Sequence, residues 1–175
     1  GPAFHSRIGV QRFMSMSEFG LIETYFSHLT APRDDVFLGV GDDCALLTPP
    51  AGQQLAVSMD TLVEGRHCSP GADPESLGYK CLAVNLSDLA AMGAEPAWVT
   101  LALTLPAADP DWLAAFARGF GALAGQYGVQ LVGGDTTKGP LSITLQVHGL
   151  VPPGQALRGD PGRRAENQGQ QRTGD

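Results

Sequence analysis

The chain has 175 residues, 43% of them hydrophobic and 17% charged, enough apolar material for one globular domain with a sizeable core. Its net charge of −7, with lysine only at Lys80 and Lys138 and four of nine arginines crowded into residues 158–175, leaves no basic stripe for a nucleic-acid partner. Cys44, Cys68 and Cys81 are odd in number and form no CxxC pair, which argues for free thiols and against a disulfide framework. No apolar run approaches the roughly 18 residues that cross a bilayer, and the N-terminus lacks the charged-then-apolar pattern of a signal peptide. A soluble, cytoplasmic protein is expected.

Residues 1–13 show no periodicity, and Met14 or Met16 reads as a natural start, so 1–13 are expected to be an upstream segment outside the domain. Leu21, Ile22, Tyr25, Phe26 and Leu29 recur at helical spacing behind Ser17 and predict a helix over about Glu18–Leu29, ended by Pro32 and Asp34-Asp35. Val36–Val40 is a short apolar run leading into Gly41-Asp42-Asp43, and Cys44–Leu47 continues it up to a turn at Pro49–Gly52. Leu55–Met59 reads as a buried strand ending at Asp60. A polar loop through Glu64–His67 precedes a helix with Asp73 at its cap and Pro74 in its first turn. That helix carries Leu77, Cys81, Val84, Leu86 and Leu89 and closes near Met92-Gly93. Ala97–Leu105 is a strand with Thr100 and Thr104 on one side and Leu101, Leu103 and Leu105 on the other. A second long helix opens at Asp109-Pro110 and closes near Gly125 or Gly128. Val129–Val132 runs as a strand into Gly133-Gly134-Asp135, and Leu141–Val151 alternates as a final strand. From Arg158 to Asp175 the only hydrophobic residue is Ala165, too little apolar surface to offset ordering, and disorder is expected there. The element order predicts an α+β domain over 14–157, a mixed sheet with helices on one face.

Asp43, Asp60, Asp88 and Asp135 each stand beside small or hydroxyl residues at the edge of an apolar element. Taken singly, each reads equally well as a turn, cap or solvated residue. Asp88, however, sits among Leu86, Leu89 and Met92, where a lone charge costs several kcal/mol unless compensated. Four such carboxylates suggest one shared site of hard oxygen ligands, which suits Mg²⁺ rather than zinc. Mg²⁺ usually shares its shell with phosphate oxygens, so a nucleotide-phosphate site is inferred. Gly39-Val40-Gly41 is weak evidence for a phosphate loop. The Walker A pattern, the protein-kinase signatures, G-x-S-x-G and zinc-spaced histidines are all absent from the sequence. On its own His67 reads as a surface or packing histidine, and His148 as structural.

The runs GVGDDCALL (39–47), SMDTLVEGRH (58–67), YKCLAVNLSDLAAMGAEPAWVTLALTLP (79–106) and LVGGDTTKGPLSITLQVHGLVP (131–152) resemble the N-terminal half of the bacterial thiamine-monophosphate kinase family. That family lies within the aminoimidazole-ribonucleotide synthetase and selenophosphate synthetase superfamily, and the resemblance covers about Met16–Leu157. It implies transfer of the ATP γ-phosphoryl to thiamine phosphate with Mg²⁺. Carried over by position, it implies metal ligation by Asp43, Ser58, Asp60, Asp88 and Asp135. It likewise implies contact of Gly134, Asp135, Lys138 and Arg158 with ATP, and of His67 with thiamine phosphate. Met59 stands where the family usually has Thr. Arg158 is one position from the family's nucleotide-contacting arginine, and the resemblance implies that the tail from 158 stands where the family continues into a C-terminal domain. The resemblance also implies a homodimer whose sheets join into a barrel, for which Trp98–Leu105 and Leu141–Val151 offer apolar strands. Two alternatives stand beside this reading: a non-catalytic dimerisation and nucleotide-binding fragment, or another enzyme of the superfamily.

Overall fold

The structure is a computed structural model that describes residues 25–41 and 44–156. The expected segments 1–13 and 158–175, and the first helix up to residue 24, lie outside the described residues; Tyr25 and Phe26 are helical. The elements run β1 (Val36–Leu38), β2 (Leu46–Leu47), β3 (Gln54–Val63), α1 (Pro74–Ala91), β4 (Glu95–Leu105), α2 (Pro110–Tyr127), β5 (Gln130–Lys138) and β6 (Ser142–Val151). β3 to β6 form one sheet in the order β3-β6-β4-β5. β4 and β5 run parallel across the α2 crossover and the other pairs are antiparallel, so the sheet is mixed, as expected.

Local chemistry sets the helix ends. Asp73 Oδ2 accepts from the Ser76 amide at 3.0 Å to start α1, and Asp109 accepts from the amides of Asp111 and Trp112 to start α2. Gly128 closes α2 in the left-handed conformation. Both helices cover one face of the sheet. Leu101, Leu103 and Leu105 of β4, with Ile143, Leu145 and Val147 of β6, are buried beneath Leu82, Leu86 and Leu89 of α1 and Leu113, Phe116 and Phe120 of α2. Each such side chain contributes about 1.5–3 kcal/mol. Trp112 and Phe120 stack on either side of Phe116, and Phe26 meets it edge-on. The two helices touch through Gly78 and Gly119, where each glycine lies against the backbone of the other helix.

Among the described residues the opposite face is covered at one end only. Ala97, Trp98, Val132 and Leu150 are buried there against Val36, Ala45 and Leu47 of the β1–β2 hairpin. The Trp98 indole N–H donates to Asp35 Oδ1 at 2.9 Å, and Arg33 pairs with Asp35 at 2.9 Å while donating to the Gly128 carbonyl. Arg33 holds the Asp35 carboxyl below its usual range. This clasp ties the segment entering β1 to the end of α2 and to β4.

Three strand assignments differ from the sequence expectation. Val36–Leu47 is a hairpin, not one continued strand. β3 does not end at Asp60, because its ladder with β6 continues from Asp60↔Leu145 to Val63↔Ser142. β5 does not stop before Gly133: pairing with β4 carries it through Asp135 to Lys138. There the Gly-Gly turn propensity is overridden by a partner strand. Gly134 has φ 154°, and a Cβ at that position would collide with the Leu101 carbonyl oxygen, so only glycine fits.

Candidate active site

β3 alternates, and the pleat turns Ser58, Asp60 and Leu62 toward α1 while Leu55, Val57 and Met59 point to the open face. On the helix side the Ser58 hydroxyl donates to Asp88 Oδ2 at 3.5 Å. Partial desolvation raises the Asp88 carboxyl above its usual range, the nearby Asp60 charge adds to this, and the Ser58 hydrogen bond works against both. Asp60 Oδ1 also accepts from the Thr61 amide at 2.8 Å. Two carboxylates and a hydroxyl from β3 and α1 therefore meet at one edge of the domain. Hard, anionic oxygen donors in this number suit Mg²⁺, which is often held by one or two carboxylates and completes its shell with water and phosphate.

Asp88 does not sit among the core leucines as its sequence neighbours suggest. Asp88 is exposed, because at 3.6 residues per turn it rotates away from the Leu82, Leu86 and Leu89 stripe that faces the core. The buried polar residue of α1 is Asn85, which is 2% exposed and was not singled out from the sequence. Its signal was available, since position 85 lies four residues from both Cys81 and Leu89 on the core side. Asn85 and Asp60 line one cleft with Leu62, Cys81, Val84, Ile143 and Leu145.

Asp135 does not join the Asp60–Asp88 pair. It is exposed, accepts from the Thr137 hydroxyl at 3.2 Å, and pairs with Ala102. Its neighbour Gly134 shares a row with Leu101, Leu145 and Asp60, so β6 and β4 lie between the two acids. Three strand spacings separate them by roughly 14 Å. Among the described residues no three His, Cys, Asp or Glu side chains come together as a metal centre. Asp43 and Arg158 lie outside the described residues. Lys138 is exposed at the end of β5. His67 stands in the turn after β3, where its Nδ1 accepts from the Val63 amide at 3.0 Å, so its proton sits on Nε2. Burial pushes the Cys81 thiol up to about 12, and its Sγ donates to the Gly78 carbonyl, which leaves it inert as a nucleophile. No helix among the described residues is long and apolar enough to cross a membrane.

The sequence matches the family described as AIR synthase related protein, N-terminal domain, over residues 41–151. It is 59% identical over 145 residues to the thiamine-monophosphate kinase of Salmonella typhimurium, covering 83% of this chain and 45% of that protein. Its structure resembles the crystal structure of thiamine-monophosphate kinase from Stenotrophomonas maltophilia K279a with a TM-score of 0.72 and 55% identity, covering 83% of this chain and 46% of the other. It also resembles AaThiL complexed with AMPPCP and TMP, with a TM-score of 0.55 and 29% identity over 78% of this chain and 44% of that one. The chain spans less than half the length of the curated relatives it matches. With the family's span running from the Gly41 turn through the end of β6, the chain belongs to the AIR synthase related protein family and carries its N-terminal domain.

Proposed function

We propose that the chain is the nucleotide- and metal-binding part of a thiamine-monophosphate kinase, which transfers the γ-phosphoryl of ATP to thiamine phosphate. The observation that carries this reading is the meeting of Asp60 and Asp88 around Ser58, on two elements drawn from two of the runs that resemble the kinase. The complex of a similar protein with AMPPCP and TMP supports the choice of nucleotide and acceptor. Mg²⁺ bound at Asp60, Ser58 and Asp88 would neutralise phosphate charge and align the oxygens of an in-line displacement. The chain's own residues have simpler tasks. Asp60 and Asp88 draw the cationic partner of the nucleotide. Asp135 and Lys138 on β5 form a second pole for the phosphates, with Gly134 permitting close backbone approach. His67, with a proton on Nε2, donates to the acceptor phosphate. Asp43 and Arg158, which lie outside the described residues, are assigned to the same set by the resemblance. Transfer is direct, with no covalent enzyme intermediate.

Titration calorimetry of Mg-ATP into the chain, followed by an assay for thiamine diphosphate, tests this. Binding in the micromolar to millimolar range is expected, and it should disappear with EDTA. Binding without product assigns nucleotide capture to this domain and turnover to a longer protein. No binding at millimolar Mg-ATP refutes the reading, and preference for another acceptor over thiamine phosphate moves it to a different enzyme of the superfamily.

A homodimer through the open sheet face belongs to the same proposal. The apolar residues of β4 and β6 named in the sequence analysis are mostly buried under the helices or the hairpin, so exposed apolar surface falls on β3 instead. Leu55, Val57 and Met59 are 48%, 51% and 66% exposed in one stripe. Burying that stripe in a barrel with a second copy also explains why Met is tolerated at position 59. Val57→Glu is expected to turn a dimer into a monomer in light scattering at micromolar concentration; an unchanged mass would locate any interface elsewhere.

A further inference from the structure

His148 lies on β6 between the covered and the bare parts of the open face. In the β3–β6 ladder it pairs with Val57, and in the β6–β4 ladder with Trp98. Directly paired residues point to the same side of a sheet, so Val57, His148 and Trp98 form one row there. Trp98 is buried with the hairpin, Val57 is 51% exposed, and His148 between them is half-buried. Its Nδ1 is buried and has no hydrogen-bond partner. Burial pushes the imidazole below its usual range, and the Trp98 backbone works against that shift. The surrounding face is uncharged: the rows beyond His148 carry Met59, Gln146 and Thr100, then Thr61, Thr144 and Ala102. β3 and β6 bring no charged side chain to this side. The charged groups of the other packed elements are Arg33 and Asp35, paired with each other beside Trp98, Glu95 at the start of β4, and Asp135 on β5.

In a chain of net charge −7, an uncharged face is where a second copy meets least repulsion. We propose that His148 makes the pairing of two copies through this face proton-sensitive: the second copy covers the remaining surface of the ring, so the dimer holds His148 neutral and acid weakens it. This rests on the dimer proposed above. The physical cause is desolvation, since a charged ring shut between Val57, Trp98 and a partner loses its water and gains no carboxylate. Twofold pairing doubles the effect, because each copy brings a His148 that must shed its proton before it is covered. Above the usual histidine value of about 6.5 both rings are already neutral, and His148 leaves association independent of pH. Below the value in the free chain, each excluded proton weakens association by up to about tenfold per pH unit, and two by up to about 100-fold.

Sedimentation equilibrium of the 175-residue chain between pH 8 and pH 5 measures the dimer dissociation constant. In the wild type it should stay level down to about pH 6.5 and rise about tenfold or more by pH 5. His148→Gln keeps a polar side chain that never charges, so it should dimerise like the wild type at pH 8 and lose that acid rise. His148→Thr replaces it if His148→Gln does not fold, since β6 already carries a threonine on this face at Thr144. The other histidines and the carboxylates titrate in both proteins, so the difference between the two curves reports His148. Parallel curves, or a wild-type constant that does not change with pH, remove the role of His148 and leave the dimer standing. A wild type that is monomeric at pH 8, or a Val57→Glu variant that dimerises like it, removes the face as an interface, and the proposal falls with the dimer.

Discussion

Asp88→Asn should reduce phosphoryl transfer by about 10³-fold in an enzyme carrying this domain, because a bound cation contributes several kcal/mol of charge stabilisation and 1.36 kcal/mol corresponds to tenfold. The neutral amide keeps the shape of the side chain and its reach to the Ser58 hydroxyl, so the loss reports charge and not packing. Raising Mg²⁺ should recover part of the rate, and wild-type turnover at low Mg²⁺ would remove Asp88 from the site. The same variant has an opposite effect on the metal-free fold. The Asp88 carboxyl titrates above its unfolded value through partial burial and the nearby Asp60 charge. Its proton therefore favours the folded state: that contribution is fully present below the unfolded pKa and is lost as pH rises through the folded pKa. Asp35, held below its usual range, contributes with the opposite sign in both proteins, so the test is the difference: unfolding midpoints measured in EDTA should gain less, or lose more, with rising acidic pH in the wild type than in Asp88→Asn. An apo protein made more stable and less active by one substitution is the pattern of a site built to receive positive charge.

Gly119→Ala should destabilise the domain by about 3 kcal/mol or more, at the upper end of what overpacking a core contact does. A Cβ at Gly119 would run into the Glu75 carbonyl oxygen of α1, and one at Gly78 would run into the Phe116 carbonyl of α2. The obstacles are backbone atoms, so no rotamer change relieves them, and the helices must move apart. Separation would open the Phe116 cluster and tilt α1, which carries Asp88 and Asn85. Gly125→Ala on the same helix is the control. A Cβ there meets nothing within 4 Å, and replacing an unconstrained helical glycine should stabilise by about 0.5–1 kcal/mol. Urea denaturation of the two variants should therefore move the midpoint in opposite directions; a Gly119→Ala midpoint equal to wild type would mean that the helices do not pack so closely.

Legibility in the sequence followed the reach of the interactions. Both long helices were readable because their signals are local: Asp73-Pro74 and Asp109-Pro110 at the starts, Gly128 at one end, apolar spacing between. The leucine side of β4 was readable for the same reason. Strand ends were not, because Asp60 and Gly133-Gly134-Asp135 carry turn chemistry and are kept extended only by β6 and β4, partners distant in the sequence. The site divided similarly. Asp60 and Asp88, picked out as candidates, lie near each other. That Asp135 stands three strands away depends on sheet order, which no local pattern encodes. Asn85 was overlooked because a single amide among leucines has no motif; its importance comes from burial.

The order of strands has a consequence for biosynthesis. Among the described residues β6 follows the other three strands of the main sheet in sequence, and it is the sole neighbour of β3 and one of the two neighbours of β4. A chain emerging in order from the ribosome thus presents β3, β4, β5 and both helices while the ladder that joins β3 to the rest is missing. Among the described residues the strand of Leu55, Val57 and Met59 finds its ladder partner only when residues 142–151 leave the exit tunnel. Pauses in translation before that point would hold an apolar edge open to solvent and to neighbouring nascent chains, a window in which chaperones have most to protect.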